Sequence, residues 1–416
     1  MKQRVFIITS GKHDRKGEGE IDMSKRGICD KVAVIGMGCT KFAEHFDKSL
    51  DDLLVEAAYE AFNDAGIQPN DVQAAWFGTL ISGYSGTTLS SALKTQYIPV
   101  TRVENLCASG SEAFRNACYA VAAGVYDIVL AIGGEKLKDS GFSGLVRPNP
   151  ASDGTTPNIT APAAFSFLAP AYFKKYGLDP DKGKEVLSRI AWKNHRNGAF
   201  NPKAQFQREV SLEEISRSPQ VASPFGVMDC SGVADGAAAA IIVRAEDAHK
   251  YRKDPMYVKA LSIAAGPGDG RMRQDFDFTE IKENVAAASA AYKEAGIKNP
   301  RKEIHLAEVH DCFTATELVI CEDLGFSERG QGWKDVLEGA FDLEGRLPVN
   351  PDGGLKSFGH PIGASGLRML YEMYLQFQGK AGRRQLDNPK IGLTHNLGGH
   401  PTQCVSFVSI VGKELS

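Results

Sequence analysis

The sequence predicts an α/β protein built from two successive halves, on three observations. Apolar strand-like runs end in or near glycine, segments with helical apolar spacing follow them, and the same strand-then-helix order restarts after about residue 255. The first run is KVAVIGMG at 31–38. It leads into SLDDLLVEAAYEAFNDAG at 49–66, whose apolar residues recur at helical spacing between a Ser/Asp cap and a closing glycine. DIVLAIGGE (127–135) and AAAAIIVR (237–244) read as further strands, and EVLSRIAWKNHRNGA (185–199) reads as an amphipathic helix. In the second part, PMYVKALSIAAG (255–266) reads as strand, TEIKENVAAASAAYKEAG (279–296) as helix and EIHLAEVHDC (303–312) as strand. ATELVICEDLG (315–325) and GASGLRMLYEMYLQFQG (363–379) follow as helices, with KIGLTHNL (390–397) and CVSFVSIVG (404–412) as closing strands.

This alternation predicts mostly parallel sheets covered by helices. Both halves open with a strand and then a helix ending in Ala-Gly, which suggests an internal duplication. The expected organisation is an N-terminal extension at 1–30, a first half at 31–254 and a second half at 255–416. Within the first half, SGFSGLVRPNPASDGTTPNITAPAAF (140–165) is too rich in Gly, Pro, Ser and Thr, and too long, for an ordinary connection; it reads as an excursion over a site.

Composition narrows the function. The chain has 416 residues, 43% of them hydrophobic, enough for two domains or one large fold with a substantial core. With 48 basic against 51 acidic side chains and no long basic block, there is no electrostatic case for nucleic acid or an anionic membrane as partner. Eight cysteines lie scattered without a CxxC pair, which speaks against a disulfide framework or a zinc ribbon and for a reducing compartment. The first thirty residues lack the apolar core of a signal peptide, and no run approaches the ~20 apolar residues of a membrane span. A cytoplasmic protein is expected.

Four segments could carry chemistry. Cys107 in NLCASGSEA (105–113) precedes a helical pattern, where the helix dipole and open backbone N–H groups favour a thiolate nucleophile. Read alone, a lone cysteine is more often a small core residue such as Cys118. In EVHDCF (308–313) a strand closes on His310 and Cys312, the end at which α/β folds gather polar chemistry; these two would share a face if the strand ran on. No second pair has metal-ligand spacing, so no metal is expected. His360 lies in GGLKSFGHPIGASG (353–366), where small residues allow close approach, and THNLGGHPTQC (394–404) reads as a glycine-rich turn able to aim N–H groups at an oxyanion. Cys39, Cys118, Cys230 and Cys321 read as packing residues, Cys404 as an inferior second thiol, and His195 as a solvated helix residue. His395 and His400 stay open.

From about residue 31 onward the chain resembles the thiolases, in particular the sterol-carrier-protein-2-type and archaeal acetoacetyl-CoA branch. The resemblance rests on NLCASGSEA, DCSGVADGAAAAIIV (229–243), HDCF (310–313), GHPIGASG (359–366) and HNLGG (395–399). It implies two similar halves in a five-layer α-β-α-β-α sandwich, with a loop region at about 140–224, including NGAFNPKAQF (198–207), over a coenzyme A channel. It further implies Cys107 as the acylated nucleophile, His360 as its base, Cys312 as acid/base at the substrate α-carbon, and His310 with His360 as one oxyanion hole. Cys107 and the glycines 398 and 399 would form the other hole, Asn396, Gly398, Gly399 and His400 all falling to oxyanion and substrate binding. A thiol with lowered pKa would suit both cysteine roles.

The implied activity is a CoA-dependent thiolase, cleaving a 3-oxoacyl-CoA with CoA or running the reverse Claisen condensation, with CoA as substrate and no permanently bound cofactor. Assembly as a homodimer or tetramer, and a small zinc-ribbon/OB-fold accessory protein, are implied too. His400-Pro401 stand where the family continues with small residues, so a bulky or aryl substrate such as benzoylsuccinyl-CoA is the alternative to acetoacetyl-CoA. Two other readings are a decarboxylating condensing enzyme (ketosynthase or hydroxymethylglutaryl-CoA synthase), which has no need of Cys312, and a non-catalytic CoA-ester scaffold, which would have lost Cys107, Cys312 or His360.

Overall fold

The computed structural model describes residues 27–140, 159–268, 270 and 273–416. Most of the 1–30 extension and most of the 140–165 excursion lie outside the described residues. The strands are β1 (Val32–Cys39), β2 (Ala74–Gly78), β3 (Val100–Val103), β4 (Ile128–Glu135), β5 (Gln220–Ala222), β6 (Phe225–Gly226), β7 (Gly236–Arg244), β8 (Met256–Ala265), β9 (Leu306–Glu308), β10 (Ile391–His400) and β11 (Gln403–Gly412). In the first half the helices are α1 (Leu50–Ala65), α2 (Thr87–Leu93), α3 (Ser109–Ala122), α4 (Ala161–Ser166), α5 (Leu168–Tyr176), α6 (Pro180–Ala199) and α7 (Leu212–Ser216). In the second they are α8 (Lys282–Ala295), α9 (Pro300–Glu303), α10 (Thr314–Asp323), α11 (Gly332–Leu337), α12 (Gly354–Phe358) and α13 (Ser365–Phe377).

A nine-stranded sheet runs β3-β2-β4-β7-β1-β8-β11-β10-β9. From its centre outward it repeats one pattern. The first strand of each half (β1, β8) pairs antiparallel with the last (β7, β11), which pairs antiparallel with β4 or β10, which pairs parallel with β2 or β9. The halves join where β1 meets β8, at Ala33↔Tyr257 and Val34↔Met256. The expectation of mostly parallel sheets is therefore corrected. Only β2 with its two neighbours and β9 with β10 run parallel, because each half returns its closing strand beside its opening one.

Strand alternation sorts side chains into layers. In β1, β4 and β7, Ala33, Ile35, Leu130, Ile132, Ala239 and Ile241 face an outer core under α1 and α2, while Val34, Met37, Val129, Ala131, Ala240 and Ile242 face a central core. That central core also takes Phe114 and Val121 of α3, Leu367 and Leu370 of α13, and Val258 and Phe407 of the second half. A third core packs α8 and α10 on the far side through Ala288, Ala291, Val319 and Ile320, against Val408 and Ile410 of β11. The result is the expected five-layer sandwich, with α3 and α13 as its middle layer.

Two further expectations change. EIHLAEVHDC is strand only from Leu306 to Glu308, so His310 and Cys312 lie on irregular backbone after it and no strand face relates them. The glycine-rich 395–399 segment is not a turn but part of β10, which pairs with β11 as far as His400↔Gln403. Lacking a Cβ, Gly398 lets the strand press against another loop: a Cβ there would lie 2.2 Å from the Asn105 carbonyl oxygen.

The middle layer closes through backbone contact. A Cβ at Gly133 would lie 2.0 Å, and one at Gly110 2.5 Å, from the Gly363 carbonyl oxygen, so the loop before α13 sits directly on β4 and α3. Gly133→Ala is expected to destabilise the fold by about 1–3 kcal/mol, the usual cost of overpacking. Denaturant unfolding measures this; an unchanged midpoint would show that the layer has slack.

Candidate active site

Cys107 stands just before α3 in a strained turn. The preceding Leu106 has φ 53°, a left-handed conformation that costs a non-glycine residue ~1–2 kcal/mol. Side chains hold it there. The Asn105 N–H donates to Ser109 Oγ (3.0 Å), the Ser109 hydroxyl donates to the Leu106 carbonyl (2.6 Å), and the Leu106 N–H donates to Glu104 Oε1 (2.6 Å). Cys107 itself is half-buried.

His310 follows β9 and is buried. Its neighbour Asp311 accepts from the Leu355 N–H (2.6 Å), the Lys356 N–H (3.1 Å) and Asn194 Nδ2 (2.8 Å), which ties the end of β9 to the chain approaching His360. Burial, with the Glu317 carboxylate adding to it, pushes Asp311 up to about 7. A second tie is the fully buried Arg368 of α13, whose Nη1 lies 2.5 Å from Glu308 and 2.6 Å from Asp352. Such a buried pair is expensive to break, because either partner alone would be an uncompensated charge.

His360 is positioned by its own N–H, which donates to the Gly232 carbonyl (2.8 Å). Its Nδ1 lies 2.7 Å from Ser365 Oγ, and that hydroxyl donates to the Pro361 carbonyl (3.0 Å). Ser365 has spent its proton, so it accepts from Nδ1–H and leaves Nε2 as a bare acceptor. That Nε2 is buried and has no hydrogen-bond partner. His310 Nδ1 lies 3.0 Å from Asn396 Oδ1, a contact that orients the ring.

The two rings meet edge to face, 5.4 Å apart. The Cys107 sulfur and one nitrogen of each ring lie within 4.8 Å of one another. Sulfur with two imidazoles is also a donor set that zinc accepts, a trio that spacing along the chain gave no means of finding. Burial holds His310 down to about 3 and His360 well below the ordinary imidazole value, so both rest neutral.

Cys312 is buried beside them, its thiol donating to Thr316 Oγ1 (3.8 Å). Burial, then the nearby Cys107, raise its pKa well above the ordinary thiol value. The expectation of a lowered pKa fails for this cysteine, which rests as a thiol because desolvation outweighs the hydrogen bonds that Thr316 and the Phe313 backbone make to it.

The other candidates separate. Gly398 backs onto the Cys107 turn, and Gly399, with φ 113°, follows it. Asn396 holds the His310 ring. His395, on the opposite face of β10, bonds Asn284 (2.9 Å) and Ser406 (3.1 Å), and the half-buried His400 bonds Thr402 (3.1 Å) at the hairpin tip. Cys39, Cys118, Cys321 and Cys404 are buried, whereas Cys230 is half-buried. His195 is not solvated: α6 packs inward, and its Nε2 lies 3.1 Å from the buried Lys356 Nζ. Ser365 and Thr316, which hold the base and the second thiol, went unread in the sequence. Ser365 lies inside the quoted GASG, where it passed for a helix start.

A half-buried thiol on a strained turn, two neutral imidazoles facing it and a second thiol behind make an arrangement chemically able to carry acyl transfer through a cysteine. Comparison with known proteins agrees. The Thiolase, N-terminal domain family model matches residues 32–246 and the Thiolase C-terminal domain-like model matches 269–412. The chain is 39% identical to an acetyl-CoA acetyltransferase of Methanothermobacter thermautotrophicus over 88% of its own length and 96% of that protein's. It is 33% identical to sterol carrier protein 2 of Bos taurus, over 90% of this chain and 71% of that one. Among solved structures, an Ltp2-ChsH2(DUF35) aldolase chain superposes with TM-score 0.81 at 24% identity, over 94% of this chain and all of that one, a likeness of fold. The chain belongs to the thiolase family. It is a CoA-dependent thiolase, an acyltransferase that cleaves a 3-oxoacyl-CoA with CoA or runs the reverse condensation.

The depressed imidazole pKa values fix the expected pH behaviour. A histidine protonates only below its folded-state pKa, so in the free enzyme His310, held down to about 3, and His360, held well below the ordinary imidazole value, both stay neutral as pH falls through 6.5. The profile of kcat/KM is expected to show no acid limb near pH 6.5; a limb there that disappears in His310→Asn would overturn the assignment.

Proposed function

We propose that Cys107 is the acylated nucleophile and His360 the base that takes its proton. The observation that carries this reading is the cluster of one sulfur and two ring nitrogens within 4.8 Å, with the lone pair of His360 Nε2 left open. Attack of the sulfur on a thioester carbonyl moves the proton from sulfur to His360. The resulting imidazolium then donates to the leaving thiolate. Backbone N–H groups of Cys107 and of Gly398 and Gly399 hold the tetrahedral oxyanion, a role supported by the close approach of Gly398 to the nucleophile turn.

In the carbon–carbon step, Cys312 exchanges the proton at the substrate α-carbon. As a buried thiol it is ready to protonate the departing enolate in the cleavage direction. His310 and His360 hold the enolate oxygen, each ring then carrying a proton on the nitrogen that faces it. We take residues 31–254 and 255–416 as the two halves, and the 140–224 region as the cover of the CoA channel. Supporting that, the Gln205 and Phe206 N–H groups donate to the Phe358 (2.9 Å) and Ser357 (3.0 Å) carbonyls, which places NGAFNPKAQF beside the His360 loop.

The acyl group proposed is acetoacetyl, as the archaeal acetyl-CoA acetyltransferase relatives support. His400-Pro401 at the β10–β11 tip keep a bulky or aryl 3-oxoacyl group as the second reading. The compartment proposed is the cytoplasm, supported by eight cysteines that are all free. No helix among the described residues is long and apolar enough to cross a membrane.

A homodimer through the β3 edge is supported by the position of β3 at the end of the sheet and by Tyr84 and Tyr97, both fully exposed beside it. A second protein component is supported by the two-component description of the Ltp2-ChsH2(DUF35) aldolase.

Cys107→Ala is expected to abolish thiolysis, and wild-type enzyme given an acyl-CoA should carry the acyl mass on the peptide containing Cys107. An unmodified Cys107 under turnover would sink the assignment. Cys312→Ala should still acylate Cys107 yet lose condensation by ~10²–10⁴-fold, the range of general acid–base catalysis, in a 3-oxoacyl-CoA panel run with and without co-purified protein. Tyr84→Asp with Tyr97→Asp should lower the mass seen by light scattering; an unaltered oligomer places the interface elsewhere.

A further inference from the structure

The Cys107 sulfur and one nitrogen each of His310 and His360 lie within 4.8 Å of one another, and among the described residues they form the one group of three such side chains placed to hold a metal ion. Both rings are held from behind. His360 Nδ1 lies 2.7 Å from Ser365 Oγ and His310 Nδ1 lies 3.0 Å from Asn396 Oδ1, which leaves Nε2 as the nitrogen of each ring open to a ligand. Metal-binding histidines are oriented in this way, by an outer partner on the other ring nitrogen. His360 Nε2 is also buried with no hydrogen-bond partner, so its lone pair is unused in the resting site.

The donor types select the ion. A four-coordinate zinc ion takes sulfur at ~2.3 Å and imidazole nitrogen at ~2.0 Å, which sets its ligand atoms ~3.4–3.6 Å apart. Reaching that spacing from 4.8 Å asks for a movement of about 1 Å, which rotation of the half-buried Cys107 side chain and a small tilt of the rings supply. The trio contains no carboxylate, so the hard ions Mg²⁺ and Ca²⁺, which demand oxygen ligands, find nothing here to replace their water.

We propose that Cys107, His310 and His360 form an inhibitory site for a divalent cation of the zinc class, bound through Cys107 Sγ and Nε2 of each ring, with water in the fourth position. The thiol releases its proton to solvent as the metal–sulfur bond forms, and each imidazole binds through its lone pair. The ion occupies the sulfur and its base together, so Cys107 can neither attack a thioester nor pass a proton to His360. Conversely, an acylated Cys107 has no thiolate to offer, so substrate and ion exclude each other. Withdrawal of the ion restores the site with no other bond changed.

Inhibition rests on the reading of Cys107 as the nucleophile, whereas binding rests on geometry, and the test separates them. Full-length protein freed of metal by a chelator should take up one equivalent of Co²⁺, with a near-ultraviolet sulfur-to-cobalt band and the intense visible bands of a four-coordinate ion, and Zn²⁺ should displace it. Cys107→Ser should lose the sulfur band, and Cys312→Ser should keep it. Ser365→Ala, which removes the outer partner of His360, should weaken Zn²⁺ binding by ~10-fold, and His360→Asn and His310→Asn by more. Zn²⁺ should stop both alkylation of Cys107 by iodoacetamide and its acylation by an acyl-CoA; EDTA should restore both, and Mg²⁺ should affect neither. A sulfur band that survives in Cys107→Ser puts the ion on another cysteine and overturns the site. So does a wild-type protein that acylates Cys107 yet takes up no Co²⁺, and in both cases the nucleophile assignment stands. Metal bound at Cys107 that leaves thiolysis intact overturns the nucleophile assignment instead. Should a histidine variant fail to fold, Cys107→Ser and Ser365→Ala decide alone.

Discussion

The site depends on one constraint, the backbone-to-backbone contact between the two helices of the middle layer. α3 and α13 occupy matching places in the two halves, and the chain entering α13 rests its Gly363 carbonyl where Gly110 and Gly133 have no side chain. Cys107 precedes α3 and His360 precedes α13, so this contact brings the thiol proposed as nucleophile, from one half, against the imidazole proposed as its base, from the other. Neither half contains the pair. Their separation is then set by packed backbone rather than by side-chain reach, which suits a reaction in which ~1 Å of misplacement costs about two orders of magnitude in rate.

Burial then decides what each group can do. The two imidazoles are desolvated and neutral, so His360 rests able to accept a proton rather than as a cation. The same burial raises Cys312 and keeps it a thiol, while Cys107, outside the helix and half-exposed, is the sulfur a thioester can reach. Two cysteines of identical chemistry receive opposite duties from their surroundings. The ions that hold this arrangement, Arg368 with Glu308 and Asp352, touch none of the reacting groups. They fix the end of β9 and the approach to α12 against α13, and hence the angle between the two histidines.

Much of this was legible in the sequence. Strand and helix order followed from apolar periodicity, and the four segments around Cys107, His310, His360 and Asn396 do converge. Strand direction was not legible, because alternation of elements is the same whether a closing strand runs parallel or antiparallel to its opener. Nor was the burial of His195: α6 shows a charged surface pattern, but its lysine partner, Lys356, comes from α12, far along the chain. Ser365 and Asn396 were legible as motif letters but not as the groups that hold Nδ1 of each histidine, since a proton position follows from donor and acceptor geometry and has no signature in residue spacing.

The duplication gives these differences a direction. The two halves share a sheet pattern and a central helix, yet the loop before one helix carries a sulfur on a strained turn and the loop before the other carries an imidazole on a glycine-rich one. A symmetric pair of sites would place two nucleophiles or two bases in contact, and neither could transfer a proton. Asymmetry at those two loops, within a scaffold that keeps them in contact, is what turns a repeated fold into a single acid–base pair. Cys312, contributed by the second half, adds the thiol proposed for the α-carbon step on one side of that pair. The first half carries the proposed nucleophile and presents the Gly232 carbonyl to the His360 N–H of the second, while Gly398 of the second packs against Asn105 in the Cys107 turn, so each half positions groups of the other.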